Sequence, residues 1–174
     1  MPWRLTMLSS ILSKADCAEC KFCCSFKRSS LWETPVFDEA SLKKLQELKP
    51  SAKFRPIENG SSSYTFDISD QYKTSNPKEE APCPFLDASC GCILPAELKP
   101  FDCKIWPLRA VRQTDKKLAV ALTPTCPAIN KVPLEKVCGL AASGLGKTIL
   151  DYANEHPDII KEESDFLSNI VYKE

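Results

Sequence analysis

Four cysteines crowd into eight residues, Cys17-Ala-Glu-Cys20-Lys-Phe-Cys23-Cys24. This run constrains the chain more than any other feature. A C-x-x-C turn aims two sulfurs at one centre, so thiolates at this spacing bind soft metal ions and iron–sulfur clusters. Cys23 and Cys24 are adjacent, and adjacent side chains tend to diverge. Both are therefore not expected on one mononuclear ion. One is expected to ligate while the other serves a second iron, a second centre or packing.

The chain holds ten cysteines in all, so compartment decides their chemistry. Residues 1–12 carry Arg4 and an apolar run interrupted by Thr6, Ser9 and Ser10, without the continuous core of a secretory leader. Asp16 before Cys17 spoils a lipoprotein-type cleavage site. The same residues fit a short amphipathic helix with Leu5, Leu8, Ile11 and Leu12 on one face. No later segment approaches the length of a membrane span. These features predict a cytoplasmic protein, in which thiols stay reduced and clustered cysteines hold metal rather than disulfides. Lys plus Arg and Asp plus Glu balance at 23 each. That leaves no electrostatic footprint for nucleic acid or for a membrane surface, and no partner is specified.

A second cysteine region runs from Cys83-Pro84 through Cys90, Cys92 and Cys103 to Trp106-Pro107. Prolines at 82, 84, 95, 100 and 107 exclude a long helix there. The segment is expected to be turns, with one helical turn near Ala96–Leu98, and to need a staple that metal ligation would supply. Around it, Asp38-Glu39-Ala40 opens a helix with Leu42, Leu45 and Leu48 inward, ended by Pro50. Residues 52–58 and 64–68 alternate with period two about Asn59-Gly60, the pattern of a hairpin. Asp70–Pro82 reads as a polar loop. Residues 108–112 and 117–123 read as two strands. Pro133–Glu155 reads as helix with Pro133 at its start, although Gly139, Gly144 and Gly146 weaken it. Asp158–Tyr172 reads as a last helix or an extended tail.

The expected architecture is α+β: one small domain over 1–174, irregular loops around a cysteine-ligated metal centre within 17–130, and a helical C-terminal segment over 131–174. The two cysteine regions must meet in space for that chemistry. The run C-x-x-C-x-x-C is that of bacterial ferredoxin sites, whose fourth ligand is a Cys-Pro. Cys83-Pro84 and Cys126-Pro127 are both available, though neither lies three residues past the run. Structural zinc on four thiolates is the competing reading. A redox disulfide couple lacks its usual βαβ setting.

Other motifs carry less. Ala141 to Thr148 (Ala-Ala-Ser-Gly-Leu-Gly-Lys-Thr) looks like a relaxed phosphate loop, but the residues before it read as helix rather than strand, so chance is the better reading. His156 is the only histidine and sits at a helix end, where its side chain suits the dipole. Cys138, among Val137 and Leu140, reads as a small buried hydrophobe. Cys90 is a weak ligand candidate. Asp87 and Asp102 are read as hydrogen-bonding supports.

Taken together, CxxCxxCC at 17–24, CPFL at 83–86 and GC-x-LP-x-E-x-KP-x-x-C-K-x-W-P at 91–107 resemble the YkgJ-type cysteine-cluster family, described as zinc- or iron-chelating. The resemblance spans about residues 17–130. It differs in Lys99 and Lys104, where the family has Arg, and in Trp106, where it has Tyr or Phe. Lys cannot make the bidentate contacts of Arg. The resemblance implies a metal-binding set of Cys17, Cys20, Cys23, Cys24, Cys83, Cys92 and Cys103, with Cys126 as an eighth member. It implies a bound iron–sulfur cluster, favoured by the excess of thiols, or zinc. A larger relative, the flagellin lysine methylase, implies the alternative of a cluster-dependent enzyme, methyl-transferring or redox. This chain is shorter and shows no glycine-rich loop for S-adenosylmethionine, so the reading leans to a metal-binding protein without assigned catalysis.

Overall fold

The computed structural model describes residues 8, 10–13, 19–20, 22–57 and 61–174, excepting the Phe22 side chain. Cys17, most of the expected N-terminal helix and the Asn59-Gly60 turn lie outside the described residues. The chain is a mixture of helix and sheet and divides into two compact units. One is Lys21–Cys103; the other is Lys104–Glu174 together with Met1–Cys20. No helix among the described residues is long and apolar enough to cross a membrane.

In the unit 21–103, a turn of 3-10 helix, Phe22–Cys24, runs into strand β1, Ser25–Lys27. Strand β2, Phe37–Asp38, leads into helix α1, Glu39–Leu48. The Asp38 carboxylate caps that helix by accepting the Ser41 N–H at 2.7 Å. Leu45 is fully buried, but Leu48 is exposed, so the inward stripe is narrower than its spacing predicts. Strands β3, Lys53–Pro56, and β4, Ser63–Asp67, form the expected hairpin, and β2 pairs on the other side of β4. Phe26, Phe37, Leu45, Phe66, Ile68 and Phe85 are the larger apolar members of one buried core. Phe26 meets Phe66 edge-on at 5.4 Å between centroids, one of the preferred aromatic geometries.

The segment read as a polar loop ends in a strand, β5, Glu80–Pro82, antiparallel to β1. Its remainder is tied by one carboxylate. Glu79 accepts the Lys73 N–H at 2.6 Å and the Thr74 N–H and hydroxyl at 2.8 and 2.6 Å. The Thr74 hydroxyl bond, then the Lys73 amide bond, hold the Glu79 pKa down at about 2, against an ordinary 4.5. A depressed carboxylate stabilises the fold fully above its ordinary pKa, and that contribution is lost as pH falls through the folded value. The amides of Lys73 and Thr74 should therefore stay protected from hydrogen exchange at about pH 3 and lose protection toward about pH 2. Glu79→Gln should remove the pH dependence. Protection that is unchanged between these pH values in the parent chain would contradict this assignment.

Strands β6, Leu86–Asp87, and β7, Gly91–Cys92, make a small hairpin. Gly91 has φ of 82° at its corner, a conformation that glycine adopts without strain. The proline-broken segment thus holds two short strands, a turn at residues 96–98, and then helix α2, Phe101–Ile105, whose chain continues into the other unit.

In that second unit, β8, Leu108–Arg112, and β9, Leu118–Leu122, are the expected strand pair. Helix α3, Leu134–Leu140, starts after Pro133. A π-helical turn, Ala141–Leu145, interrupts the predicted single helix, with Gly144 at φ of 122°. Helix α4, Gly146–Glu155, follows. The last segment has no α-helix: two 3-10 turns, Pro157–Ile159 and Asp165–Leu167, alternate with two strands. Strand β10, Lys161–Glu162, joins β8 in parallel, and β11, Ile170–Lys173, joins β9, giving the order β10-β8-β9-β11. Val111, Ala119, Ala121 and Leu167 form a fully buried cluster there.

Candidate thiol site

The pairing of β1 with β5 sets Ser25 opposite Pro82. One step further along, the Cys83 N–H donates to the Cys24 carbonyl at 2.7 Å. The two cysteine-rich segments, far apart in sequence, are thereby held side by side. The Leu86 N–H then donates to the Cys83 carbonyl at 3.0 Å, closing a turn that feeds the β6–β7 hairpin. In that hairpin Leu86 pairs with Cys92, and the Ile93 N–H donates to the Phe85 carbonyl at 2.9 Å. Pro84 cannot donate an amide hydrogen bond, which suits a residue that turns the chain between ladder and hairpin.

The sulfurs of Cys23 and Cys24 lie 4.0 Å apart. The expected divergence of these neighbours is not what the fold adopts, because a 3-10 turn at Phe22–Cys24 carries them onto the same side. Tetrahedral geometry with zinc–sulfur bonds of about 2.3 Å places two ligand sulfurs about 3.8 Å apart. The vicinal thiols already have that spacing.

Cys83 is packed against the buried aromatic core. Burial pushes its thiol up to about 12. A hydrogen bond with the Phe85 backbone pulls the other way, and the neighbouring Cys92 and Cys23 thiols add to the rise. Thiols of Cys23, Cys24, Cys83 and Cys92 therefore share one neighbourhood inside a single unit. Thiolates in this setting would gain from a soft cation, which takes the place of their protons. Among the described residues, however, no group of three or more Cys, His, Asp or Glu side chains is arranged to hold a metal ion.

The other expected ligands are placed as follows. Cys103 is half-buried on α2 in the same unit. Cys20 is exposed and Cys126 buried, and both belong to the second unit. Cys17 lies outside the described residues. Cys90 is exposed at the hairpin tip, where its amide and thiol approach Asp87 at 3.0 and 3.3 Å. Asp87 also accepts the Ser89 N–H at 2.8 Å. The Ser89 hydroxyl bond is the largest cause holding its carboxyl far below the usual range. The bond to Asp87 raises the Cys90 pKa. Cys90 and Asp87 thus build the turn. Asp102 is 3% exposed and accepts the Val36 N–H at 2.9 Å, tying α2 to the residue that leads into β2. Cys138 is half-buried on α3.

Two features escaped the sequence reading. One is the Phe85 amide at the Cys83 sulfur, for which the Cys-Pro-Phe step was a signal. The other is the 4.0 Å vicinal pair, which depends on a short 3-10 turn with no distinctive pattern. The relaxed phosphate loop has no strand before it, only α3 and the π-helical turn, so the chance reading agrees with the fold. The chain matches no protein-family model, no curated protein and no solved structure.

Proposed function

We propose that the protein is a metal-binding cysteine-cluster protein. Its centre is held by thiolates of Cys23, Cys24, Cys83 and Cys92, and the remaining members of the set are Cys17, Cys20, Cys103 and Cys126. The observation that carries this reading is the vicinal pair at 4.0 Å, with Cys83 hooked by its amide onto the Cys24 carbonyl at 2.7 Å. Two sulfurs at the separation of ligands on one centre, beside two further thiols, form a donor set suited to soft metal. Cys83 and Cys92 must close on that pair when metal binds, since among the described residues no three donors are now in place. The favoured occupant is an iron–sulfur cluster, because three thiols at x-x spacing and an excess of cysteines suit a polynuclear centre. Zinc is the competing occupant, and four thiols within one unit would suffice for it. Similarity to the YkgJ-type family rests on the sequence pattern described above. A bound cluster or ion would supply a covalent cross-link between the β1–β5 ladder and the β6–β7 hairpin. A cytoplasmic location follows from the reduced thiols this site requires.

Anaerobic purification followed by iron, sulfide and zinc analysis tests the proposal. Stoichiometric iron with acid-labile sulfide is expected. Zinc without sulfide would replace the cluster by a structural ion. Absence of bound metal after anaerobic reconstitution with iron and sulfide, and with zinc, would overturn the reading. Cys24→Ser should lower metal content and melting temperature together, whereas Cys138→Ser should change neither appreciably. Equal losses from the two variants would show that the ligand set is wrong.

A further inference from the structure

A separate cleft lies wholly within the second unit. It has a volume of about 480 Å³ and opens between the β8–β9 hairpin, the last turns of α4 and the residues that follow. Its cationic lining residues are Arg112, Lys116 and Lys117. Its apolar lining residues are Leu118, Pro157 and Ile160, which are partly or fully exposed, and Leu150 and Ala153, which are buried. Asn154 adds an amide, and among the described residues Glu174 is the one carboxylate in the lining. Three cations against one carboxylate is a local excess in a chain whose formal charges cancel.

The cations are weakly answered. Arg112 Nε stands 3.8 Å from Glu162, and Lys117 Nζ stands 4.0 Å from Asp115. Both are longer than hydrogen bonds. Among the described residues the Lys116 ammonium has no salt-bridge partner, while Glu174 is already approached by Lys147 at 3.7 Å. Lys116 is also the one described non-glycine residue with positive φ, at 68°. Glycine or asparagine would occupy that corner with less strain. The Lys116 N–H donates to the Gln113 carbonyl at 2.8 Å, and this tight turn sets Lys116 in the lining of the cleft.

We propose that this cleft binds a small amphipathic anion, with its oxyanion head group on Arg112, Lys116 and Lys117 and a short apolar body against Leu118 and Ile160. The guanidinium fork matches a planar carboxylate or a phosphate, and the lysines add charge without fixing geometry. The volume falls in the lower part of the range of small-molecule pockets, about 300–1,000 Å³. A head group on about six carbons suits it.

The test uses the full chain in a chloride buffer free of carboxylate and phosphate. Backbone amide shifts are followed while hexanoate, hexyl phosphate or neutral 1-hexanol is added. Saturable shifts at residues 112–118 and 150–160 with at least one anion, and none with hexanol at equal concentration, are expected. The preferred anion identifies the head group as carboxylate or phosphate. The double variant Arg112→Gln, Lys116→Asn should weaken binding at least about tenfold with an unchanged melting temperature; asparagine suits the left-handed corner. Absence of saturation, shifts centred elsewhere, or hexanol binding as well as the anions would overturn the proposal. So would affinity of the double variant within about twofold of the parent. If the double variant melts early, Lys116→Asn alone, at an exposed position, carries the same comparison.

Discussion

Phe85→Ala should cost the unit 21–103 about 3–5 kcal/mol, the range for truncating a fully buried phenylalanine. Phe85 is 0% exposed. Its ring lies 6.2 Å from Phe37 and 6.2 Å from Phe54, so it ties strand β2 and strand β3 to the segment carrying Cys83. The cavity left behind cannot be filled by one neighbour, because those rings are themselves held by β2, β3 and β4. Phe85→Leu, which keeps much of the volume, should cost about 1–2 kcal/mol. Urea unfolding, with hydrogen exchange at Phe37, Phe54 and Phe66, reads the difference. A loss below about 1 kcal/mol for the alanine variant would show that the aromatic cluster is not what holds this region. Phe85 sits two residues after Cys83, and its backbone amide serves that sulfur. Metal content should therefore fall in the alanine variant and persist in the leucine variant.

That expectation changes the part assigned to metal. The prolines at 82, 84, 95 and 100 imply a segment unable to hold itself, and a metal staple was the natural remedy. The fold supplies another, an apolar core of phenylalanines with Ile93, Leu94 and Leu98 from this same segment packed against it. Sequence periodicity made α1, the β3–β4 hairpin and the β8–β9 pair legible, because each is a local pattern long enough to repeat. It missed β1, β5, β6 and β7, of two or three residues each, since strands so short have no period and exist only through long-range pairing. The C-terminal segment was open between helix and extended tail for the same reason: β10 and β11 are set by the partners they join. For the site, spacing showed which cysteines were exceptional, and the fold brings four of them into one neighbourhood. Spacing did not show that Cys23 and Cys24 converge, which depends on backbone turn type rather than on residue identity.

Gly146→Ala should destabilise the second unit by about 3 kcal/mol, as expected for an overpacked site with no room to relax. A Cβ at position 146 would stand 2.3 Å from Cγ and 2.4 Å from Cδ1 of Tyr172. These atoms are at the root of the ring, so a change of rotamer at its tip cannot clear the clash. Either the first turn of α4 or strand β11 has to move, and β11 is pinned by its ladder to β9. Gly139→Ala provides the contrast. Nothing lies within 4 Å of its added Cβ, and the residue sits inside α3, so this change should stabilise by about 0.5–1 kcal/mol. Two alanines seven residues apart would thus act with opposite signs, which helix propensity alone does not allow. The double variant Gly146→Ala, Tyr172→Ala separates contact from backbone. If the ring is the cause, the second substitution should recover most of the loss, a coupling of at least about 1 kcal/mol in a double-mutant cycle. Additive effects would show that the Tyr172 ring is not the cause, and because Gly146 has ordinary helical φ and ψ of −59° and −48° the loss would then come from other packing around the first turn of α4.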